Sequence, residues 1–120
     1  MTQATEISPG LVKTREVVGI SVKNTQKESL GKIEEIILDK LSGNVRYVVL
    51  SFGGVLGMGD KLFALPWNAI HYDDDLECFL LNVDKEKLKN APGFNKNDWP
   101  DMADQAWGRS IHDYYGTRPY

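Results

Sequence analysis

Residues 45–52 read VRYVVLSF, and this run decides the fold class because it is rich in β-branched and aromatic residues. Apolar side chains fall on both alternating faces of the run, which predicts a strand that is covered on both sides. We expect one face to line the interior of a small β-barrel. The outer face then meets a partner or the C-terminal tail.

Downstream of this strand the sequence predicts a second strand at residues 61–65. Pro66 ends it, because proline has no N–H to donate to a ladder. Residues 69–72 and 77–81 flank the acidic turn Asp73-Asp74-Asp75, and this arrangement predicts a final hairpin.

Upstream, residues 30–41 fit two structures. Their apolar residues recur at helical spacing, whereas strand alternation fails at Glu34 and Glu35. Gly31 and the turn at residues 41–44 favour instead a hairpin with a β-bulge. Residues 17–22 (VVGISV) predict a first strand, and residues 1–11 predict a flexible lead-in.

The pattern changes to helical near Asp84. Residues 84–90 predict one or two helical turns that Pro92 and Gly93 stop. A second helix is expected to begin at Asp98 as N-cap and to end at Gly116. Its apolar face would consist of Ala103, Trp107, Ile111 and Tyr114.

Charge and composition narrow the classes of function. Of the 120 residues, 14 are basic and 17 acidic, which gives a net charge of −3. Such a chain lacks the positive charge that neutralises phosphates, so we expect no nucleic-acid partner. The sequence shows neither a signal peptide nor a membrane-spanning run, and the lone Cys78 fits a reducing compartment, so we expect a cytoplasmic protein without membrane insertion.

Three stretches give a strand, a glycine-rich loop and a strand that ends in Pro-Trp: residues 30–39 (LGKIEEIILD), 45–59 (VRYVVLSFGGVLGMG) and 61–70 (KLFALPWNAI). Together they resemble the PRC-barrel family, which is named for the H subunit of the photosynthetic reaction centre and includes a domain of a ribosome maturation protein. The resemblance runs from Val17 to Leu81, a little over half of the chain.

The resemblance implies a mainly β fold, a closed antiparallel β-barrel of about six strands with a short C-terminal helical extension. It therefore favours a strand at residues 30–39. We expect a lead-in at residues 1–11, a barrel domain at 12–93 and an aromatic extension at 94–120, similar to that of stand-alone bacterial members.

The family lends surfaces to protein assembly and shares no catalytic site. The resemblance thus implies a non-catalytic protein-binding or assembly module. The two-faced apolar strand at residues 45–52 and the surplus of aromatic residues favour a homodimer, and we expect no cofactor, no metal and no catalytic residue. This chain lacks the transmembrane helix of the reaction-centre subunit and the preceding domain of the ribosome maturation factor, so neither specific role carries over. An RNA-associated factor remains a hypothesis from family analogy alone.

The glycine-rich loop, residues 53–61, has the wrong order for a phosphate loop. Asp60 stands where the lysine is needed, and Leu62 offers no hydroxyl for a metal ion. We expect instead a wide turn that exposes apolar residues and serves as a candidate self-association surface. These residues are Val55, Leu56 and Met58.

The polar clusters elsewhere in the sequence predict neither a metal site nor a catalytic triad. Three consecutive aspartates after His71 point in different directions in a tight turn, so we expect a solvated turn and not a metal site. His112 and Asp113 are about 100° apart on a helix, and Ser110 nearby does not complete a hydrolase triad.

The tail is rich in aromatic residues but contains only two arginines, too few to bind single-stranded nucleic acid. We expect its rings to pack on the outer face of the barrel or across a dimer partner, and we take four as candidate interface residues: Trp99, Trp107, Tyr114 and Tyr115. The alternative function is a small-ligand or metal-binding domain with a pocket between barrel and tail, near Trp67, His71 and His112.

Overall fold

The structure, a computed structural model, describes residues 10–53 and 60–118. Over these residues the fold is mainly β, as predicted, with short helices at both ends. In chain order the elements are α1 (Thr14–Val17), β1 (Ser21–Lys23), β2 (Ser29–Leu38), β3 (Val45–Gly53), β4 (Asp60–Pro66), a 3₁₀ turn (Trp67–Ala69), β5 (Ile70–Asp73), β6 (Cys78–Leu81), α2 (Lys85–Lys89), β7 (Phe94–Asn95) and α3 (Gln105–Tyr115).

The strands form one seven-stranded sheet in the order β5-β6-β1-β2-β3-β4-β7. The β1–β6 pair is parallel, and the other pairs are antiparallel. In the described ranges no ladder joins β5 to β7, so the sheet is not closed into the expected six-stranded barrel. The extra strand, β7, comes from the tail and pairs with the outer edge of β4.

The sheet nevertheless curves around a single core. Each strand from β1 to β6 contributes at least one buried apolar side chain to the same cluster, and α1 and α2 add one each. The strand members are Val22, Leu30, Ile33, Val48, Leu50, Phe63, Leu65, Ile70, Phe79 and Leu81. This curvature brings the β5–β6 hairpin close to the N-terminal segment.

The ambiguous segment is a strand with a bulge. Ile33 lies opposite Leu50 and Glu35 opposite Val49, so Glu34 is an extra residue in β2. Because of this extra residue, the β2 side chains that follow lie on the opposite face from the one that strict alternation predicts. The apolar residues of the segment therefore recur at a spacing that resembles a helix. Gly31 packs so closely that a Cβ there would lie 2.1 Å from the carbonyl oxygen of Ser51.

The prediction for the first strand was wrong over residues 17–20. Val17 ends α1 and buries its side chain in the core, and Gly19 turns the chain at a φ of +96°. The strand β1 begins only at Ser21. The hairpin of β5 and β6 is confirmed, and the Asp73 carboxylate accepts hydrogen bonds from the N–H groups of Asp75 and Leu76 in its turn.

The prediction of α2 is confirmed: the Asp84 side chain caps it by accepting from the N–H of Lys87. The start of α3 was wrong. Asp98 forms an isolated bridge with Asn95, and the helix begins where Asp104 accepts from the N–H of Ala106. It ends at Gly116 in the left-handed conformation, as predicted.

Within the described ranges, none of the helices has the length and apolar character required to cross a membrane.

Candidate functional site

The outer face of β3 and β4 is covered by the chain's own tail. Tyr47 of β3 and Ala64 of β4 are buried together with Ile111 of α3. The Trp107 ring stands edge-on to Tyr47, with 5.3 Å between the ring centroids. Both faces of β3 are therefore buried, as its apolar pattern predicts.

Gly108 permits the close approach of α3 to the sheet. A Cβ at this position would lie 2.9 Å from the hydroxyl oxygen of Tyr47. Glycine costs about 1 kcal/mol in a helix relative to alanine. Packing against Tyr47 offsets that cost.

The candidate interface residues of the tail fall into two groups. Trp107 is half-buried on Tyr47, and the Tyr114 hydroxyl donates to the carbonyl of Lys87. The Tyr115 hydroxyl is buried without a hydrogen-bond partner in the described residues, and burial raises the pKa of Tyr115 well above its ordinary value. These three side chains hold the tail on the sheet.

Trp99 forms the other group, because it is 39% exposed. Its ring lies 5.0 Å from Phe94 of β7, and its Nε1 donates to the carbonyl of Lys96 at 2.9 Å. Trp99 thus covers β7 and presents its outer side to solvent. Val55, Leu56 and Met58 lie outside the described residues, and the prediction that they form an interface stays a prediction.

His112 is enclosed between α3 and β3. It is 1% exposed, and its Nδ1 lies 2.7 Å from the Thr117 hydroxyl. Burial lowers the pKa of His112 below its ordinary value, with a further contribution from the positive charge of Arg46 and an opposing one from Asp113.

The predicted pocket that unites Trp67, His71 and His112 does not form. His112 lines a small cavity of about 180 Å³ under α3, together with Arg46 and Tyr47. Trp67 and His71 line a different and larger cavity. The two histidines are separated because α3 packs on the outer face of the sheet, whereas β5 lies at its far edge.

The larger cavity, which we call the β5 groove, has a volume of about 610 Å³. It has two walls. The N-terminal wall comes from residues 10–20 and includes Leu11, Val12 and Glu16, and the hairpin wall comes from residues 67–79 and includes Trp67, Ile70, His71, Tyr72, Asp74 and Phe79.

The rim of the β5 groove exposes large apolar side chains. Leu11 is 55% exposed, Val12 46%, Trp67 37% and Tyr72 47%. The Trp67 and Tyr72 rings both stand edge-on to the buried Phe79, at 5.9 and 5.2 Å between centroids. Contact with Phe79 therefore fixes the positions of the Trp67 and Tyr72 rings on the hairpin wall.

Sequence reasoning missed this groove. Residues 10 and 11 belong to the predicted lead-in. Trp67 enters the family resemblance as part of the Pro-Trp pair that ends a strand. The signal that was available is Pro66-Trp67 at the end of a strand, because a turn after the proline leaves the indole at the surface. The closeness of residues 10–20 to residues 67–79 depends on the curvature of the sheet.

The groove presents polar and apolar surface in similar amounts, and its polar side chains include Glu16, His71 and Asp74. Over the described ranges, no set of three histidine, cysteine or acidic side chains is grouped to hold a metal ion. The arrangement is suited to binding a surface that offers both apolar and polar groups.

The PRC-barrel domain family matches the chain over residues 9–88, about two thirds of its length. No curated protein matches it significantly. The match contains both walls of the β5 groove, whereas Trp99 and α3 lie beyond it.

Proposed function

The chain belongs to the PRC-barrel domain family, and we propose that it is a non-catalytic protein-binding module that associates with a second copy of itself. The observation that carries this proposal is the β5 groove, whose rim exposes Leu11, Val12, Trp67 and Tyr72 side by side. Contiguous exposed apolar side chains of this kind mark interaction sites in proteins, because a partner removes them from water.

The chemistry of the groove supports a binding role. Its described lining contains no serine, threonine, cysteine or lysine that His71 could activate as a general base. The one cysteine in the chain, Cys78, is buried in β6. A buried thiol also fits the cytoplasmic location that forms part of the proposal.

The tail supports the choice of the groove as the contact surface. Because α3 covers Tyr47 and Ala64 within the same chain, the outer face of β3 and β4 is already occupied. The rim of the groove is open. Trp99, which packs against Phe94 of β7, provides a smaller exposed apolar site on another part of the sheet.

The solution mass tests the proposal. Sedimentation velocity of the wild-type chain is expected to give twice the chain mass of 13.5 kDa. The double variant Val12→Ser/Tyr72→Ser is expected to be monomeric. The matched control is Leu41→Ser, which alters an apolar side chain that is 94% exposed on the β2–β3 turn and is expected to remain dimeric. A monomeric wild-type chain would contradict the proposed self-association.

A second candidate function, small-ligand binding, is favoured by the volume of the groove. About 610 Å³ lies within the range of roughly 300–1,000 Å³ that ligand pockets occupy. Native mass spectrometry of the purified chain tests it. A bound species that is lost in Val12→Trp, which adds an indole to the exposed groove lining, would support ligand binding, and a mass equal to that of the bare chain would count against it.

A further inference from the structure

The two segments that form the walls of the β5 groove carry opposite net charges. Lys13 and Arg15 lie exposed in residues 10–20. Asp74, Asp75 and Glu77 lie exposed in the turn of the hairpin wall. Of the described residues, none of these five takes part in an ion pair, since the two salt bridges formed there are Arg46–Asp39 and Lys89–Glu86.

From this arrangement we propose that two copies dock groove to groove about a twofold axis, with Lys13 and Arg15 of each copy against the acidic turn of the other. The inference rests on the proposed self-association and names its surface. In a twofold interface the same patch meets itself, so one wall of each copy faces the other wall of its partner. A patch with opposite charges on its two sides is complementary to its own rotated copy.

The apolar centre of the patch suits this arrangement. Leu11 and Val12 on one wall and Trp67 and Tyr72 on the other are exposed apolar side chains of the groove lining. Docking would bury these four side chains and leave the ion pairs at the periphery. An apolar centre with a polar rim is the usual composition of a protein interface.

Two further carboxylates, Glu16 and Asp73, belong to the two segments. Glu16 is half-buried in the groove lining, whereas Lys13 and Arg15 are exposed. The Asp73 carboxylate accepts hydrogen bonds from the N–H groups of its own turn. The exposed charges of the two segments therefore remain opposite.

The position of β5 adds support. It is an end strand of the seven-stranded sheet, and it belongs to the hairpin wall. Edge strands present backbone groups that pair readily with another chain unless they are covered. A second copy seated on the groove would cover this edge.

Charge reversal tests the inference. One variant, Lys13→Glu/Arg15→Glu, makes both rims acidic, and another, Asp74→Lys/Asp75→Lys, makes the groove predominantly basic. Each alone is expected to raise the dimer dissociation constant by about tenfold or more, because like charges then face each other. An equimolar mixture of the two is expected to recover dimer, since each acidic rim again meets a basic one.

The control for Lys13→Glu/Arg15→Glu is Lys40→Glu/Lys89→Glu, which makes the same change in net charge on the β2–β3 turn and on α2. This control is expected to dimerise like the wild type. Sedimentation equilibrium gives the constants, and circular dichroism verifies that every variant is folded.

Variants that dimerise as tightly as the wild type would overturn the groove-to-groove interface and leave the proposed self-association standing. Monomeric variants that do not recover dimer when mixed would also overturn it. A monomeric wild-type chain would overturn both the interface and the self-association.

Discussion

The Trp107 ring stands edge-on to the Tyr47 ring at an interplanar angle of 65°, and this contact joins the C-terminal helix to the outer face of the inner strand β3. Because Tyr47 is itself buried, the helix forms a second layer of the same domain. The tail therefore contributes to the stability of the chain through contacts within one molecule. That leaves the β5 groove as the open apolar surface on which our account of function depends.

Truncation of the Trp107 ring should weaken this second layer. We expect Trp107→Ala to lower the free energy of unfolding by about 2 kcal/mol or more, because it removes the edge-on contact and leaves a cavity over Tyr47. Urea unfolding measures the change. The control is Trp99→Ala, which is expected to cost less because Trp99 is more exposed. Equal effects of the two substitutions would contradict the assignment of Trp107 to the packed layer.

Gly31 should tolerate no side chain. Alanine there would place Cβ 2.1 Å from the carbonyl oxygen of Ser51 in a backbone with a φ of +135°, so we expect a loss of about 3 kcal/mol or more. Gly43 is the matched control: its φ is +82°, but a Cβ there meets nothing within 4 Å, and Gly43→Ala is expected to cost about 1 kcal/mol. Thermal unfolding compares the two. A similar loss at both positions would indicate that β2 and β3 are not this close.

Gly108 should likewise resist substitution, although alanine is the better helix former. The added methyl group would lie 2.9 Å from the Tyr47 hydroxyl, so we expect Gly108→Ala to lower stability by about 1 kcal/mol. Gln105→Ala, on the exposed side of the same helix, is expected to leave stability nearly unchanged. A Gly108→Ala protein that is more stable than the wild type would show that the helix is free to move away from the sheet.

His112 should make stability depend on pH. Its pKa is lowered in the folded chain by burial first and by Arg46 second, so below the ordinary value near 6.5 the unfolded chain binds the additional proton. Stability is therefore expected to fall as the pH decreases from 6.5 towards the lowered pKa. Replacement by Gln should remove this dependence, whereas His71→Gln, at an exposed site, should retain it. An unchanged pH profile in His112→Gln would contradict this role.

Much of the fold could be predicted from local pattern. The β-branched run at residues 45–52 defines β3, and Pro66 and Gly116 mark the ends of β4 and α3. At residues 30–41 local pattern left helix and bulged strand open, and the family resemblance favoured the strand that β2 forms.

The starts of β1 and α3 could not be predicted in the same way. Asp98 and Asp104 are both suitable N-caps, and the choice between them depends on the bridge that Asp98 forms with Asn95. Residue Val17 has strand propensity but occupies the core from a helical turn. Tertiary contacts determine where β1 and α3 begin.

The candidate site was harder to predict because it depends on distant segments. His71 and His112 had been assigned to one pocket, but they lie in different cavities, and the groove forms only where residues 10–20 meet the β5–β6 hairpin. Side-chain exposure at Trp67 and Tyr72 follows from this meeting. No periodicity within either segment contains that information.

Concentration-dependent hydrogen exchange tests the central claim most directly, because it locates the contact surface in the unmodified chain. Amide exchange is compared at a protein concentration well below the dimer dissociation constant and at one well above it. Our account predicts that exchange slows at the higher concentration in residues 10–20 and 67–79, while α3 is unaffected. Exchange that is the same at both concentrations, or protection confined to segments outside the β5 groove, would contradict it.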